Sequence, residues 1–314
     1  MKNRIKFSFE NIGLLAILVA LLVIFLSIYH PFLARINIIN ILLSVALIGI
    51  IGVPWSMLCI SGGMDISVGS AMGFTAVIIT LIYNNGVNLV LSIIIGLVIA
   101  AIVGLINGLL ITKVGINPII TTLGMLSVLR GAAFIIAGGK GLPIYNEKFR
   151  YIGMGRIWFF PIPVVIFIVF FAVGYFVLKY TSYGRNIYVS GGNERTGRVA
   201  GINVDWIRIS LYMITTMAAG LAGLIFSAQL GQTWPKAGTG YEFAVITAVV
   251  LGGVSLAGGK GKILGALLGV LIIGTLSYGL EITGVHSFYI TIAQGAILLI
   301  AVTIDQLKLK RTFT

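Results

Sequence analysis

Long apolar runs recur along the whole chain, and they set the strongest limit on its fold. A run of about twenty apolar residues can cross the roughly 30 Å of hydrocarbon in a bilayer as a helix. The chain is 59% hydrophobic and 9% charged, with a mean hydropathy of +1.11, so its polar residues are too few to cover a soluble globule of 314 residues. We therefore expect one all-α, polytopic membrane domain over residues 1–314.

The number of crossings follows from the length of these runs. Seven runs are clear, and they cover about 11–29, 38–60, 88–112, 158–179, 206–228, 263–282 and 287–304. Three others are shorter or interrupted by glycine and polar residues, at about 68–84, 118–137 and 242–257. Together they predict about ten transmembrane helices, with eight as the alternative count.

Basic residues predict the orientation, because lysine and arginine favour cytoplasmic loops. With the N-terminus inside, 14 of the 21 basic residues fall in inside segments and 6 in outside segments, while Arg130 lies within an apolar run. We expect both termini in the cytoplasm, although the basic loop at 139–157 argues the other way. The net charge of +13 is then mostly a matter of topology and requires no nucleic-acid partner.

The longest polar interruption on the predicted inner side covers about 180–205 and contains GGNERTGRVAGINV, Gly191–Val204. Asn193 is a good helix N-cap, Glu194 puts negative charge in the first turn, and Gly201 can end a helix in the left-handed conformation. The pattern predicts a two-turn helix over 194–200. A helix this short is marginal in water and needs a surface to dock on. The alternative is a solvated linker whose charges only enforce topology.

Four segments resemble ribose-type permeases of ATP-binding-cassette importers, and they occur in that family's order. They are SGGMDISVGS at 61–70, NGLLITKVGINPIITTLG at 107–124, GRNIYVSGGNERTGRVAGINV at 184–204 and KAGTGYEFAVITAVVLGGVSLAGGKGKILGALLGVLIIG at 236–274.

The resemblance implies a permease subunit of the cytoplasmic (inner) membrane with several protein partners. These are a second permease chain, identical or paralogous, an extracytoplasmic solute-binding protein, and a separate subunit that binds ATP and Mg. The solute would be a monosaccharide, or in related branches furanosyl autoinducer, a nucleoside or a branched-chain amino acid. Relatives usually carry alanines where this chain has Arg195 and Thr196. The residues implied to couple to the ATPase are Gly191, Gly192, Asn193, Glu194, Arg195, Arg198, Gly201 and Ile202.

An internal repeat is indicated by two similar segments, SGGMDISVGSAMG at 61–73 and AGTGYEFAVITAV at 237–249. It divides the chain into halves of about 36–137 and 206–304. Because the copies start five crossings apart, they would be inverted in the membrane, as in many transporters. The alternative is chance similarity among glycine-rich apolar helices.

Two carboxylates open apolar helices at matching repeat positions, Asp65 and Glu242. Each can accept orphan backbone N–H groups and complement the helix dipole, so we expect them to scaffold gates, with Asp65 toward the cytoplasm and Glu242 toward the outside. A substrate or proton site is the alternative. The neighbouring residues Ser67, Gly69, Gly240 and Tyr241 complete this predicted gate set.

Arg130 lies about 18 Å into a helix that Asn117 and Pro118 begin. An arginine at that depth should face protein, water or the outer interface. We expect Arg130 either to belong to the gate and pathway set or to act as a snorkelling anchor.

Enzyme motifs are missing from the sequence: it contains neither HExxH nor GxSxG. Gly253 and Gly258 have phosphate-loop spacing, but Gly259 stands where that motif requires lysine. We expect no catalytic residue, no metal site and no bound cofactor in this chain. The competing classes are a secondary transporter or channel and a membrane-embedded enzyme. A coupled secondary transporter usually carries ionisable groups at mid-membrane, and apart from Arg130 the apolar runs have almost none.

Overall fold

Helices dominate the computed structural model, which describes the backbone of residues 9–313 and the side chains of residues 12–307. In chain order the helices are α1 (Phe9–Ile28), α2 (Arg35–Ile60), α3 (Val68–Asn84), α4 (Leu89–Leu109), α5 (Pro118–Ile136), α6 (Glu147–Met154), α7 (Ile162–Tyr180), α8 (Ser182–Gly192), α9 (Glu194–Val199), α10 (Val204–Leu230), α11 (Tyr241–Leu251), α12 (Ile263–Ile282) and α13 (Ser287–Phe313). Four strands of two residues are β1 (Leu142–Pro143), β2 (Arg156–Ile157), β3 (Phe160–Pro161) and β4 (Gln232–Thr233).

The predicted all-α, polytopic class is confirmed. In the described residues, seven helices are long and apolar enough to cross a membrane: Arg35–Ile60, Leu89–Val114, Pro118–Ile136, Ile162–Tyr180, Val204–Leu230, Ile263–Ile282 and Ser287–Leu307. Shorter apolar helices cover Ile12–Ile28, Val68–Asn84 and Tyr241–Leu251. The count of ten crossings and the inverted repeat stay predictions.

Two long helices, α2 and α10, form the centre of the bundle. Helix α10 packs against α2, α3 and α4, while α2 also packs against α7, α11 and α12. Trp55 on α2 and Tyr212 on α10 are fully buried between them and their neighbours. Helix α4 approaches α10 so closely that an added Cβ at Gly108 would lie 2.8 Å from the Cα of Ile209.

The connections between helices fall into two groups at opposite ends of the bundle. At one end, the N–H of Gly259 donates to the carbonyl of Ile60 at 2.8 Å, and the hydroxyl of Tyr188 donates to the carbonyl of Gly261 at 2.9 Å. At the other end, β1 pairs antiparallel with β4, and α6 packs on the end of α10. The first group consists of the segments predicted to lie inside, and we refer to that end as the inner end.

The connection between α10 and α11 turns back into the bundle and makes α11 short. An added Cβ at Gly73, in the middle of α3, would lie 2.8 Å from the carbonyl oxygen of Ala237 and 2.9 Å from that of Pro235. Helix α11 therefore starts beside α3 and covers 11 residues, about 16 Å, or half of the hydrocarbon. The predicted run over 242–257 is too long, because the helix ends at Leu251 and the chain turns at Gly253, with φ +83°.

Candidate functional site

The predicted loop helix is present as α9, Glu194–Val199. The side chain of Asn193 caps it by accepting from the N–H of Thr196 at 3.0 Å. The chain turns at Gly201, with φ +78°, and the N–H of Ile202 closes the end on the carbonyl of Gly197 at 3.0 Å. Both end signals are confirmed, and the helix ends one residue earlier than the predicted 194–200.

Glu194 holds α9 in place through two arginines. One carboxylate oxygen accepts from Nε and Nη2 of Arg198 at 3.1 and 2.9 Å, one turn along the same helix. The other accepts from Nη1 of Arg208 on α10 at 2.7 Å. Hydrogen bonds from Arg198, then those from Arg208, hold the pKa of the Glu194 carboxyl below its ordinary value. Glu194 therefore anchors α9 to the protein rather than pointing away from it.

A second set of ion pairs joins α9, through Asp205 in the first turn of α10, to Lys113 in the π-helical segment Leu110–Val114 that continues α4. Arg198 donates to one oxygen of Asp205, and Nζ of Lys113 donates to the other at 2.6 Å. The sequence analysis did not identify Lys113, Asp205 or Arg208 as site residues. The spacing of Glu194 and Arg198 is a local signal of an ion pair, but no sequence signal relates Lys113 to Asp205, 92 residues away.

Of the remaining predicted coupling residues, Arg195 lies on the outward face of α9, whereas Gly191 and Gly192 end α8 and Ile202 follows α9. Arg195 and Thr196 are exposed, and Val199 is 85% exposed. Gly191, at the end of α8, is packed so tightly against Ile60 and Gly259 that an added Cβ would overlap them, whereas Gly192 beside it is open. One face of α9 is therefore bonded to α10 at the inner end, and the opposite face is exposed.

Asp65 lies fully buried in the connection from α2 to α3. Its Oδ1 accepts from the N–H of Ser67 at 2.8 Å and from the hydroxyl of Ser67 at 2.6 Å. Its backbone carbonyl accepts from the indole N–H of Trp55 at 2.8 Å. Oδ2 has no hydrogen-bond partner in the described part of the chain. The expected acceptor role is present, with one backbone N–H satisfied just before the first residue of α3.

Glu242 is the second residue of α11, and its Oε1 accepts from the N–H of Gly240 at 3.2 Å. This reach back to the residue before the helix resembles half of a capping box. Oε2 is buried against Gly69, in the first turn of α3, and it has no hydrogen-bond partner among the described residues. The ring of Tyr241 packs edge-on against Phe226, with centroids 5.9 Å apart.

The two carboxylates lie closer along the chain of contacts than expected, while the placement of Asp65 toward the cytoplasm and Glu242 toward the outside stays a prediction. They were predicted at opposite ends of the path, but Glu242 contacts Gly69, one helical turn after Asp65. The reason is the returning connection before α11, which brings the start of that helix into the middle of the bundle. Asp65 therefore lies just before the start of α3, and Glu242 lies against the first turn of that helix.

Arg130 holds this returning connection. Its Nη1 donates to the carbonyls of Pro235 at 2.6 Å and Ala237 at 3.0 Å. These carbonyls belong to irregular backbone at membrane depth, where unsatisfied polar groups are costly. Arg130 faces protein, one of the three environments expected for it.

Comparison with known proteins identifies the family. Residues 37–302 match the family described as branched-chain amino acid transport system / permease component. The ribose import permease protein RbsC of Bacillus subtilis is 41% identical over 291 residues, which cover 92% of this chain and 90% of that protein. RbsC of Escherichia coli K12 is 37% identical over 303 residues, with 95% and 94% covered.

A third relative carries a different sugar in its name. The L-arabinose ABC transporter permease protein AraH of Azospirillum brasilense is 38% identical over 295 residues, which cover 93% of this chain and 87% of that protein. No solved structure matches the chain. With a family match over most of its length and relatives of this similarity, the chain belongs to the branched-chain amino acid transport system / permease component family.

Proposed function

We propose that this chain is the membrane-spanning permease subunit of an ATP-binding-cassette importer that translocates a monosaccharide. The observation that carries the proposal is α9, a two-turn helix fixed to the bundle by Glu194 and Arg198 while its opposite face is exposed. The names of the relatives, ribose and arabinose import permeases, support a sugar over the other solutes.

The ATP-binding subunit would dock on the exposed face of α9. Val199 offers an apolar anchor, and Arg195 and Thr196 beside it offer polar contacts at the rim, an arrangement typical of protein interfaces. ATP and Mg would be bound by that partner. Because Arg195 and Thr196 are exposed on this face, the partner's groove must accept a polar and basic helix.

The inner end would face the cytoplasm, with both termini on that side. A second permease chain, identical or paralogous, would complete the path.

The opposite end would receive the solute-binding protein: Tyr145 and Trp158 are 87% and 90% exposed there. A cavity of about 630 Å³ at this end is lined by Tyr83, Asn84, Asn88, Tyr145, Asn146 and Lys148. Aromatic and amide side chains of this kind suit contact with a partner protein.

The gates would be fixed in shape by three side chains that do not bind the solute: Asp65, Glu242 and Arg130. Each holds backbone at a helix start or in the returning connection. A secondary transporter would use such carboxylates to bind its coupling ion, so the energy source separates the two classes.

The decisive experiment is uptake of radiolabelled ribose and arabinose by proteoliposomes that hold this chain, the ATP-binding subunit and the solute-binding protein encoded with it. We expect uptake with ATP inside and none with a proton or sodium gradient alone. Uptake driven by an ion gradient in the absence of ATP would contradict the proposal. Nucleosides, branched-chain amino acids and furanosyl autoinducer serve as competing solutes, and transport of one of these alone would overturn the sugar assignment.

The docking surface is tested by Val199→Glu, which places a charge on the exposed face of α9. We expect loss of copurification with the ATP-binding subunit. Val114→Glu is the matched control, because Val114 is also exposed at the inner end but lies outside α9. Equal retention of the partner by both variants would show that α9 is not the docking helix.

A further inference from the structure

Arg208 contacts three separate segments at the inner end. Besides Glu194 on α9, its guanidinium donates through Nε to the carbonyl of Ser61 at 3.0 Å and through Nη2 to the carbonyl of Ser190 at 3.3 Å. Ser190 lies on α8, and Ser61 is the first residue after α2. One side chain of α10 therefore links the loop helix to the start of the connection that carries Asp65.

Tyr212, one turn further along α10, holds the same connection at a second point. Its hydroxyl accepts from the N–H of Met64 and donates to the carbonyl of Met64, both at 3.1 Å. Residues four apart lie on the same face of a helix. Arg208 and Tyr212 thus present one polar face of α10 to Ser61 and Met64, directly before Asp65.

The connection is also fixed beyond Met64. Trp55 bonds the carbonyl of Asp65, Asp65 bonds Ser67, and the amide of Asn107 donates to the hydroxyl of Ser67 at 3.2 Å. A buried segment held at so many points moves as a unit, since separating any one polar pair leaves an unsatisfied group.

We propose that Arg208 and Tyr212 are positioning residues that couple α9 to the 61–67 connection, so that displacement of α9 by the ATP-binding subunit moves the start of α3. This inference rests on the proposed function for the source of the displacement. The link itself lies within this chain. A planar guanidinium with donors in a fixed fork can hold Glu194, Ser61 and Ser190 together, which a lysine ammonium cannot reproduce.

Lys113 provides a matched control for the link. It forms an ion pair with Asp205 at the same end of α10, but it touches neither Glu194 nor the 61–67 connection. Replacing Lys113 removes a charge and a salt bridge but leaves the contacts of Arg208 and Tyr212 in place.

The first test measures amide hydrogen exchange of residues 61–67 in the purified full chain. We expect Arg208→Met and Tyr212→Phe to raise the exchange rate of this segment about two- to tenfold, the range for one net hydrogen bond. Lys113→Met should leave it within about twofold. Glu194→Ala should raise exchange in the unmodified chain and add nothing in the Arg208→Met background. An equal effect of Glu194→Ala in both backgrounds, no effect of Tyr212→Phe, or an equal effect of Lys113→Met would overturn the proposal.

The second test measures solute transported per ATP hydrolysed in the reconstituted complex. Tyr212→Phe should keep copurification and hydrolysis but lower this ratio about two- to tenfold, because Tyr212 touches the 61–67 connection and not α9. Loss of copurification, or an unchanged ratio, would contradict the coupling role. If the unmodified complex showed no ATP-dependent uptake, the proposed function would fail, while hydrogen exchange would still decide whether the link exists.

Discussion

Replacing Gly191 by alanine tests how tightly α8 packs against the end of α2 and the 258–261 turn. The change should destabilise the protein, although alanine favours helices more than glycine does. An added Cβ would overlap the carbonyl oxygen of Ile60 and lie 2.7 Å from the N–H nitrogen of Gly259. Those two atoms form the 2.8 Å hydrogen bond that joins the α2 end to the 258–261 turn. Overpacking costs about 1–3 kcal/mol, and weakening the hydrogen bond adds about 0.5–1.5 kcal/mol.

Alanine offsets part of this cost, because it is about 1 kcal/mol better than glycine in a helix interior and gains less at a helix end. A net loss of roughly 1–4 kcal/mol remains. Gly192→Ala is the matched control: it brings the same change in propensity, and the nearest atom to its Cβ would be the Cα of Gly259 at 4.0 Å.

Thermal unfolding of the two variants in detergent, followed by tryptophan fluorescence, is the assay. Each 1 kcal/mol lowers Tm by about 2–4 °C in domains of 150–250 residues, so Gly191→Ala should unfold on the order of 5 °C lower and Gly192→Ala should not. The Gly191→Ala protein should also lose uptake in the reconstituted complex. Equal Tm values for the two variants would refute the close-packing argument.

Three other predictions follow from the buried site and from α9. Asp65→Asn and Glu242→Gln, which keep an acceptor oxygen, should retain most uptake, whereas alanine at either position should reduce it several-fold by removing a cap of about 0.5–2 kcal/mol; equal loss in all four variants would indicate an ionisable site. Arg130→Met should lower thermal stability more than Arg130→Lys, because it leaves two buried carbonyls unpaired; identical Tm values would contradict this. The pKa of Glu194 is lower in the folded chain than in the unfolded chain, so the stabilisation that its carboxylate contributes is fully present above its unfolded pKa. That stabilisation is lost as pH falls through the folded pKa. The Tm difference between Glu194→Gln and the unmodified chain should therefore be constant from pH 8 to about pH 5 and shrink below about pH 4.

Local signals in the sequence predicted α9 well. An N-cap, an acidic first turn and a terminal glycine depend on backbone geometry within a few residues, so Asn193, Glu194 and Gly201 could be assigned without knowing the fold. Apolar length likewise identified the helices that meet the requirement for a membrane span.

Contacts between distant segments could not be predicted in this way. Arg208 bonds the carbonyl of Ser61, and Arg130 bonds the carbonyl of Pro235, in each case more than 100 positions away along the chain. No periodicity or motif in the sequence indicates either hydrogen bond. The contact of Glu242 with Gly69 was missed for the same reason. An apolar run of suitable length was assigned a full crossing, while the glycine-rich connection before it carries the chain back along α3.

The short α11 makes one part of the membrane domain depend on another. Its 11 residues are too few to span the hydrocarbon of a bilayer, and the connection before it contains backbone carbonyls that lipid could not satisfy. Arg130, made about a hundred residues earlier, satisfies two of them. The polar backbone before α11 is therefore satisfied by a side chain of α5, so the stability of this C-terminal segment depends on an N-terminal helix.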